Sequence, residues 1–193
     1  MRLWTMQPLA VLELVQKTGC YRCDPALCSM PEYTLQYDWL TGRMTDMIGP
    51  PPSGGKYPVW AWYMQNGRHC KPDLRRERWG YGPGDEQYTC IELEVPDNEV
   101  VLSDFDDWNI ILNNGLISYS ESEYDELEMY YEALPEEQKQ TYMLKNWERV
   151  FDITPSRSEW ANRGYWVQAT FWEIRREFIK DVRYFKTARH AEL

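Results

Sequence analysis

The sequence predicts an α+β fold: a single domain over 1–193 in which helices flank a mixed or antiparallel central sheet. Three observations carry that expectation. Tyr33, Tyr37, Leu40, Met44 and Met47 recur at the three- and four-residue spacing of a helix with one buried stripe. Ile91, Leu93 and Val95 alternate with Glu92 and Glu94 at the period of a strand. The run Val59-Trp60-Ala61-Trp62-Tyr63 suits a central strand covered on both faces.

Taken in order, Arg2 to Gln7 alternates loosely and stops at Pro8, giving a first strand. A helix follows from Leu9 to Lys17, with Leu12, Val15 and Gln16 near one face and Thr18-Gly19 supplying a left-handed exit. Cys20 to Met30 reads as a loop, and the next stripe as a helix over 31–48. Gly49 and Pro50-Pro51-Pro52-Ser53-Gly54-Gly55 prevent regular structure and mark a loop fit to border a site. Tyr57 to Met64 is the central strand, and Tyr88 to Val95 a half-exposed one. Pro96-Asp97-Asn98 turns into a strand over Val100 to Ser103, which the short connection places beside its predecessor. Ser103 or Asp104 caps a helix through Phe105, Trp108, Ile111 and Leu112, ended by Asn113-Asn114-Gly115. Helices over 121–133 and 135–150 come next, the first presenting its Glu and Asp run as a solvated face. Tyr165 to Ile174 is a further strand, and Phe178 to Phe185 a final strand or short helix.

Composition narrows the function. The formal net charge of −10, from 31 acidic and 21 basic residues, disfavours an extended grip on nucleic acid or an anionic membrane. A small anionic ligand in a local basic pocket stays compatible with it. No apolar stretch approaches the roughly 20 residues of a membrane-spanning helix, and the first residues lack a signal-peptide pattern. Five cysteines in a chain with an ample core read as reduced thiols of a cytoplasmic protein. Trp, Tyr and Phe make up 15% of the chain, ring surface enough for both a core and a stacking wall.

Several constellations could carry chemistry. Cys20-x2-Cys23-x4-Cys28, with His69 or Cys70, could ligate zinc, yet the second half of a paired motif is missing and free thiols fit better. His69 and His190 are the only imidazoles, and neither lies beside a nucleophile motif, so a hydrolytic triad lacks support. Gly80, Gly82 and Gly84 lack the Lys-Ser/Thr ending of a phosphate-binding loop. Lys71, Arg75, Arg76 and Arg78 form a basic run in an acidic chain, suited to gripping phosphate or to pairing with the acidic helices. Asp104, Asp106 and Asp107 stand where a strand passes into a helix; capping accounts for them, with a divalent cation as the alternative. Gln168, Thr170 and Trp172 share one strand face, where an amide and a ring could hold a planar ligand, with a buried Gln satisfied by neighbouring backbone as the alternative.

Arg2-Leu3-Trp4-Thr5, Tyr57 through Tyr63, Lys71-Pro72-Asp73-Leu74-Arg75, Leu102 through Asp106, and Gln168-Ala169 with Trp172-Glu173 together resemble the bacterial family called domain of unknown function 3841, over nearly the whole chain. That resemblance implies a family without assigning an activity. More distantly, the order of a first strand bearing Arg2, a helix ending at Gly19, the aromatic strand and the late strand pair resembles the ADP-ribosyltransferase-like fold. This second resemblance implies NAD or a related nucleotide in a cleft between strands. Arg2 and Thr5 would face phosphates or ribose, Trp60, Trp62 or Tyr63 would stack on a ring, and Gln168 would stand where such enzymes carry a catalytic Glu. A neutral amide cannot act as that carboxylate does, and Glu173 could replace it only in a shifted register.

The leading expectation is binding of NAD or an ADP-ribose-type nucleotide, with Gln168 and Glu173 as candidate catalytic residues and Arg2, Thr5, Trp60, Trp62, Tyr63, Lys71 and Arg75 as ligand contacts. The alternatives are a noncatalytic module sequestering a small anion, and a regulatory subunit whose acidic helices engage a protein partner.

Overall fold

The structure, a computed structural model, describes residues 1–23, 31–81 and 84–188. β1 (Arg2–Pro8) feeds directly into α1 (Leu9–Thr18). At the end of α1, Gly19 takes φ 92° and its N–H caps the Val15 carbonyl, the left-handed exit that a residue without Cβ adopts freely. β2 (Cys20–Arg22) follows immediately, where the sequence predicts only loop. A 3-10 turn leads into α2 (Thr34–Ile48), and then come β3 (Val59–Met64), the single-turn α3 (Leu74–Glu77) and β4 (Gln87–Glu94). β5 (Val101–Asp104) runs into α4 (Phe105–Leu112). The helical pair α5 (Glu121–Ala133) and α6 (Glu136–Asn146) precedes β6 (Val167–Phe171), β7 (Glu173–Arg175) and β8 (Ile179–Lys186).

Six strands form one sheet in the order β5-β6-β3-β1-β4-β8, every neighbouring pair antiparallel, while β2 and β7 make a separate two-stranded sheet. Two sequence expectations fail here. β4 and β5 are not neighbours: the turn at Asp97–Glu99 sends the chain across to the opposite edge, where β5 pairs with β6. The stretch from Tyr165 to Ile174 is not one strand either. It breaks at Trp172, whose indole N–H donates to the Gly49 carbonyl at 2.9 Å, and the chain then changes sheet.

One face of the six-stranded sheet packs on α1 through Leu3, Leu12, Val15, Val59, Ile91 and Phe171. The other face is divided. Over β5, β6 and β3 it is covered by α2, α4 and α6, with Leu40, Met44, Trp108, Ile111 and Trp147 buried. Over β1, β4 and β8 it holds Trp4, Met6 and Cys90 beneath Leu74 and Tyr81. The predicted α2 stripe holds at Leu40 and Met44 but not at Met47, which is 51% exposed in the last turn. β4 is not half-exposed: Cys90 and Glu92 are buried as well as Ile91 and Leu93 on the other side, because the 71–81 segment lies over them.

Asp104 is the cap of α4, its Oδ1 accepting from the backbone N–H of Asp106 and Asp107. Its Oδ2 accepts from the Gly164 N–H at 2.6 Å, tying the start of α4 to the approach of β6. Gly164 has φ 74°, and a Cβ there would meet the Ile153 carbonyl at 2.5 Å, so this junction requires glycine.

Candidate functional site

The central feature is an incomplete strand pairing. β1 is in register with β4 at seven positions, from Arg2 opposite Glu94 to Pro8 opposite Tyr88. With β3 it is in register at one, Trp4 opposite Trp62. Beyond that pair the ladder lapses, and the Thr5 hydroxyl donates to the Trp60 carbonyl at 2.8 Å while accepting from Gln7 Nε2 at 2.8 Å. A side chain thus makes a link between the two strands where the backbone ladder has stopped.

A cavity of about 300 Å³ opens along this gap, lined by Trp4, Met6, Trp60, Trp62, Tyr81 and Gln168, with Tyr21 and Pro58 farther along. Strand alternation explains the membership: Trp4 and Met6 share a face of β1, Trp60 and Trp62 the matching face of β3, and Gln168 stands opposite Trp62 on β6. Trp62 is held edge-on to Trp166 and against Phe105, and its indole N–H reaches the Tyr81 hydroxyl at 3.4 Å. Trp60 is braced from behind by Trp108 and Tyr37. The Gln168 amide engages no other described group, leaving its donors and acceptor available to a ligand.

No Asp, Glu, His, Lys or Arg is among the lining residues described. Burial pushes the Tyr81 phenol up in pKa, and the nearby Glu77 carboxylate adds to it, so it stays neutral and serves as donor and acceptor only. Behind Met6, burial also raises the Cys90 thiol despite a contact from Arg183 Nη2 at 3.2 Å. That sulfur is not a nucleophile at neutral pH.

Other residues expected at the site lie elsewhere. Thr5 is fully buried and holds Trp60 in place rather than lining the cavity. Tyr63 lies against His69, the rings tilted with centroids 4.5 Å apart, at the register shift between Trp62 and Met64 that takes it out of the alternation. Arg2 is exposed, with Nε 3.4 Å from Glu92 and 3.7 Å from Glu94. Lys71 lies between Glu92 at 2.9 Å and Asp181 at 3.1 Å. Arg75 closes on Asp73, the cap of its own helix turn. Glu173 sits in β7, bound to Arg22 at 2.8 Å and near Arg175 at 3.3 Å, and does not join Gln168. Trp4, Met6 and Tyr81 were not anticipated. For Trp4 and Met6 the signal was the two-residue alternation of β1; for Tyr81, in a glycine-rich loop, there was none.

Cys23 is disulfide-bonded, which corrects the expectation of five reduced thiols, while Cys20, Cys70 and Cys90 are free. The proposed zinc set also includes Cys28, which lies outside the described residues, as does His190. Among the described residues no three His, Cys, Asp or Glu side chains are grouped to hold a metal, the Asp104 and Asp106 pair included. No helix among them is long and apolar enough to cross a membrane.

No curated protein and no solved structure matches the chain, so the ADP-ribosyltransferase-like likeness gains no support from them. The family described as Domain of unknown function (DUF3841) matches residues 2–180, and the chain belongs to that family.

Proposed function

We propose that the chain binds a nucleotide of the NAD or ADP-ribose type by its ring, seated between β1 and β3 with its face on Trp62 and Trp60 and its edge on the Gln168 amide. One observation supports this above others: three indoles and two phenols line a cavity around an uncommitted amide, with no charged side chain among the described lining residues. Aromatic faces take planar rings, and a primary amide pairs with the donor and acceptor edge of a base or of nicotinamide. The volume suits a base with its sugar and not a whole dinucleotide. Phosphates would lie outside, where Arg2 and Lys71 are already matched by carboxylates.

Transfer from such a nucleotide calls for a group that stabilises developing positive charge or takes a proton. Gln168 does neither, and Glu173 is engaged by two arginines away from the cleft. The lining therefore favours binding without turnover. Thermal unfolding with NAD, ADP-ribose, adenosine and nicotinamide tests this. A ligand at about 100 times its dissociation constant adds about 2.7 kcal/mol. The expected result is a shift that Trp62→Ala and Gln168→Ala each reduce; no shift with any of the four rules the reading out.

A further inference from the structure

The indoles that line the cleft turn their polar edges away from it. The Trp4 N–H donates to Glu92 at 3.2 Å, and the Trp62 N–H reaches the Tyr81 hydroxyl at 3.4 Å. Trp60 keeps its indole nitrogen out of reach of solvent, and Tyr37 meets that ring edge-on, while the ring still lines the cavity. What these groups leave to the cleft is ring surface, and the face of an aromatic ring is the negative end of its quadrupole. Tyr21 and Tyr81 add two more rings to the same wall.

Positive charge is absent from the described lining, which contains neither Lys nor Arg. Lys71 and Arg2 are matched outside by Glu92, and Arg183 lies behind Cys90, bonded to that sulfur and to the Pro72 carbonyl. A carboxylate stands close on the other side: Glu77 acts on the Tyr81 phenol and has a neutral partner, Gln65 Nε2 at 2.9 Å. Ring faces toward the cavity, no cation in the wall and a carboxylate behind it complement an organic cation. A fully substituted ring nitrogen suits this wall best, because it brings charge without an N–H that the rings would leave unsatisfied.

We infer that the cleft selects a pyridinium-type organic cation over a neutral ring of the same shape. The inference rests on the ring-binding reading above and narrows it: the oxidised nicotinamide ring is the preferred occupant, with its carboxamide against Gln168, and adenine is the weaker one.

The probes are nicotinamide methylated at its ring nitrogen, a permanent cation, and nicotinamide itself, which is neutral. NAD and its reduced form make a second pair that differs at the same ring. Each is titrated into the full chain at neutral pH and read by calorimetry and tryptophan fluorescence. In both pairs the cationic ring is expected to bind roughly tenfold more tightly. The difference is expected to survive about 0.3 M salt, which screens the general attraction of an acidic chain for cations. Trp62→Leu, which keeps apolar bulk without a ring, should narrow the difference; Glu77→Gln should weaken the methylated cation about threefold and leave nicotinamide unchanged. Equal affinity within either pair, or a difference that salt removes, overturns the inference and leaves the ring-binding reading standing. Failure of both nicotinamides with adenosine still bound does the same, whereas failure of every one of these ligands brings down both. The deciding comparison is between ligands on the wild-type chain, so it holds even if a variant fails to fold.

Discussion

Glu92 and Asp107 have the same fractional exposure, 7%, yet they titrate in opposite directions. Glu92, in the strand half of the divided sheet face, loses solvation, but Lys71 at 2.9 Å, the Trp4 indole N–H at 3.2 Å and Arg2 more than compensate and hold its pKa down. Asp107, in the helical half, is pushed up to about 7 by burial and by the neighbouring Asp104. Its Oδ2 has no hydrogen-bond partner. The guanidiniums that face it are committed elsewhere: Arg149 to Glu123 and Arg163 to Asp152, both also lying about 4 Å from the Tyr119 ring. Equal exposure thus does not fix the direction: Asp107 lies deeper and loses more solvation, while Glu92 has the closer cationic partners. The same comparison explains the cleft between the two halves, where charges have been matched outside the cavity and an amide left unmatched inside it.

The largest effect expected from breaking that comparison is at Asp107. A folded-state pKa near 7, against an unfolded value near 4, means that the native state binds the extra proton. Stability from this group is complete at about pH 4 and is lost as pH rises through about 7. Relative to wild type, Asp107→Asn should gain on the order of 4 kcal/mol between those limits, read by urea unfolding at both pH values. Asp106 and Asp104 face the same group and remain in the variant.

Next in size is Trp62→Ala, which removes a stacking face and should weaken ADP-ribose roughly tenfold to a hundredfold by calorimetry, about 1–3 kcal/mol. Glu92→Gln tests the opposite sign. Its depressed pKa contributes stability present at neutral pH and lost on acidification, so the substitution should cost roughly 1 kcal/mol at pH 7 and less in acid. Smallest are Arg2→Ala and Lys71→Ala, expected to change ADP-ribose affinity by less than about threefold, because both cations are exposed and already paired.

Much of the fold was legible where a local rule has one solution. The exit at Gly19, the α4 cap and the alternation of β4 follow from backbone sterics and strand period. What escaped was non-local. The connection from β4 to β5 is short, and adjacency is the ordinary outcome, but nothing local encodes that β5 prefers the far edge beside β6. Glu92 reads as a solvent-facing residue until Lys71 and Trp4 are brought to it from other segments. At the site, Trp60 and Trp62 were readable as a ring wall and Gln168 as an amide, each on a strand; that the two strands are neighbours was not. The cleft itself was not, because it arises from a ladder that stops after one pair, and Thr5 could be recognised as its brace only with Trp60 in view.

The central claim is that a ring enters between β1 and β3. Fluorine NMR of the chain labelled with 5-fluorotryptophan tests it most directly, with the ten resonances assigned by single Trp→Phe variants. On adding ADP-ribose, the account predicts that the signals of Trp4, Trp60 and Trp62 move together and saturably, while Trp79 and Trp160 stay in place. Saturable movement of Trp79 or Trp160 with the cleft signals unchanged, or no movement at all, would contradict it.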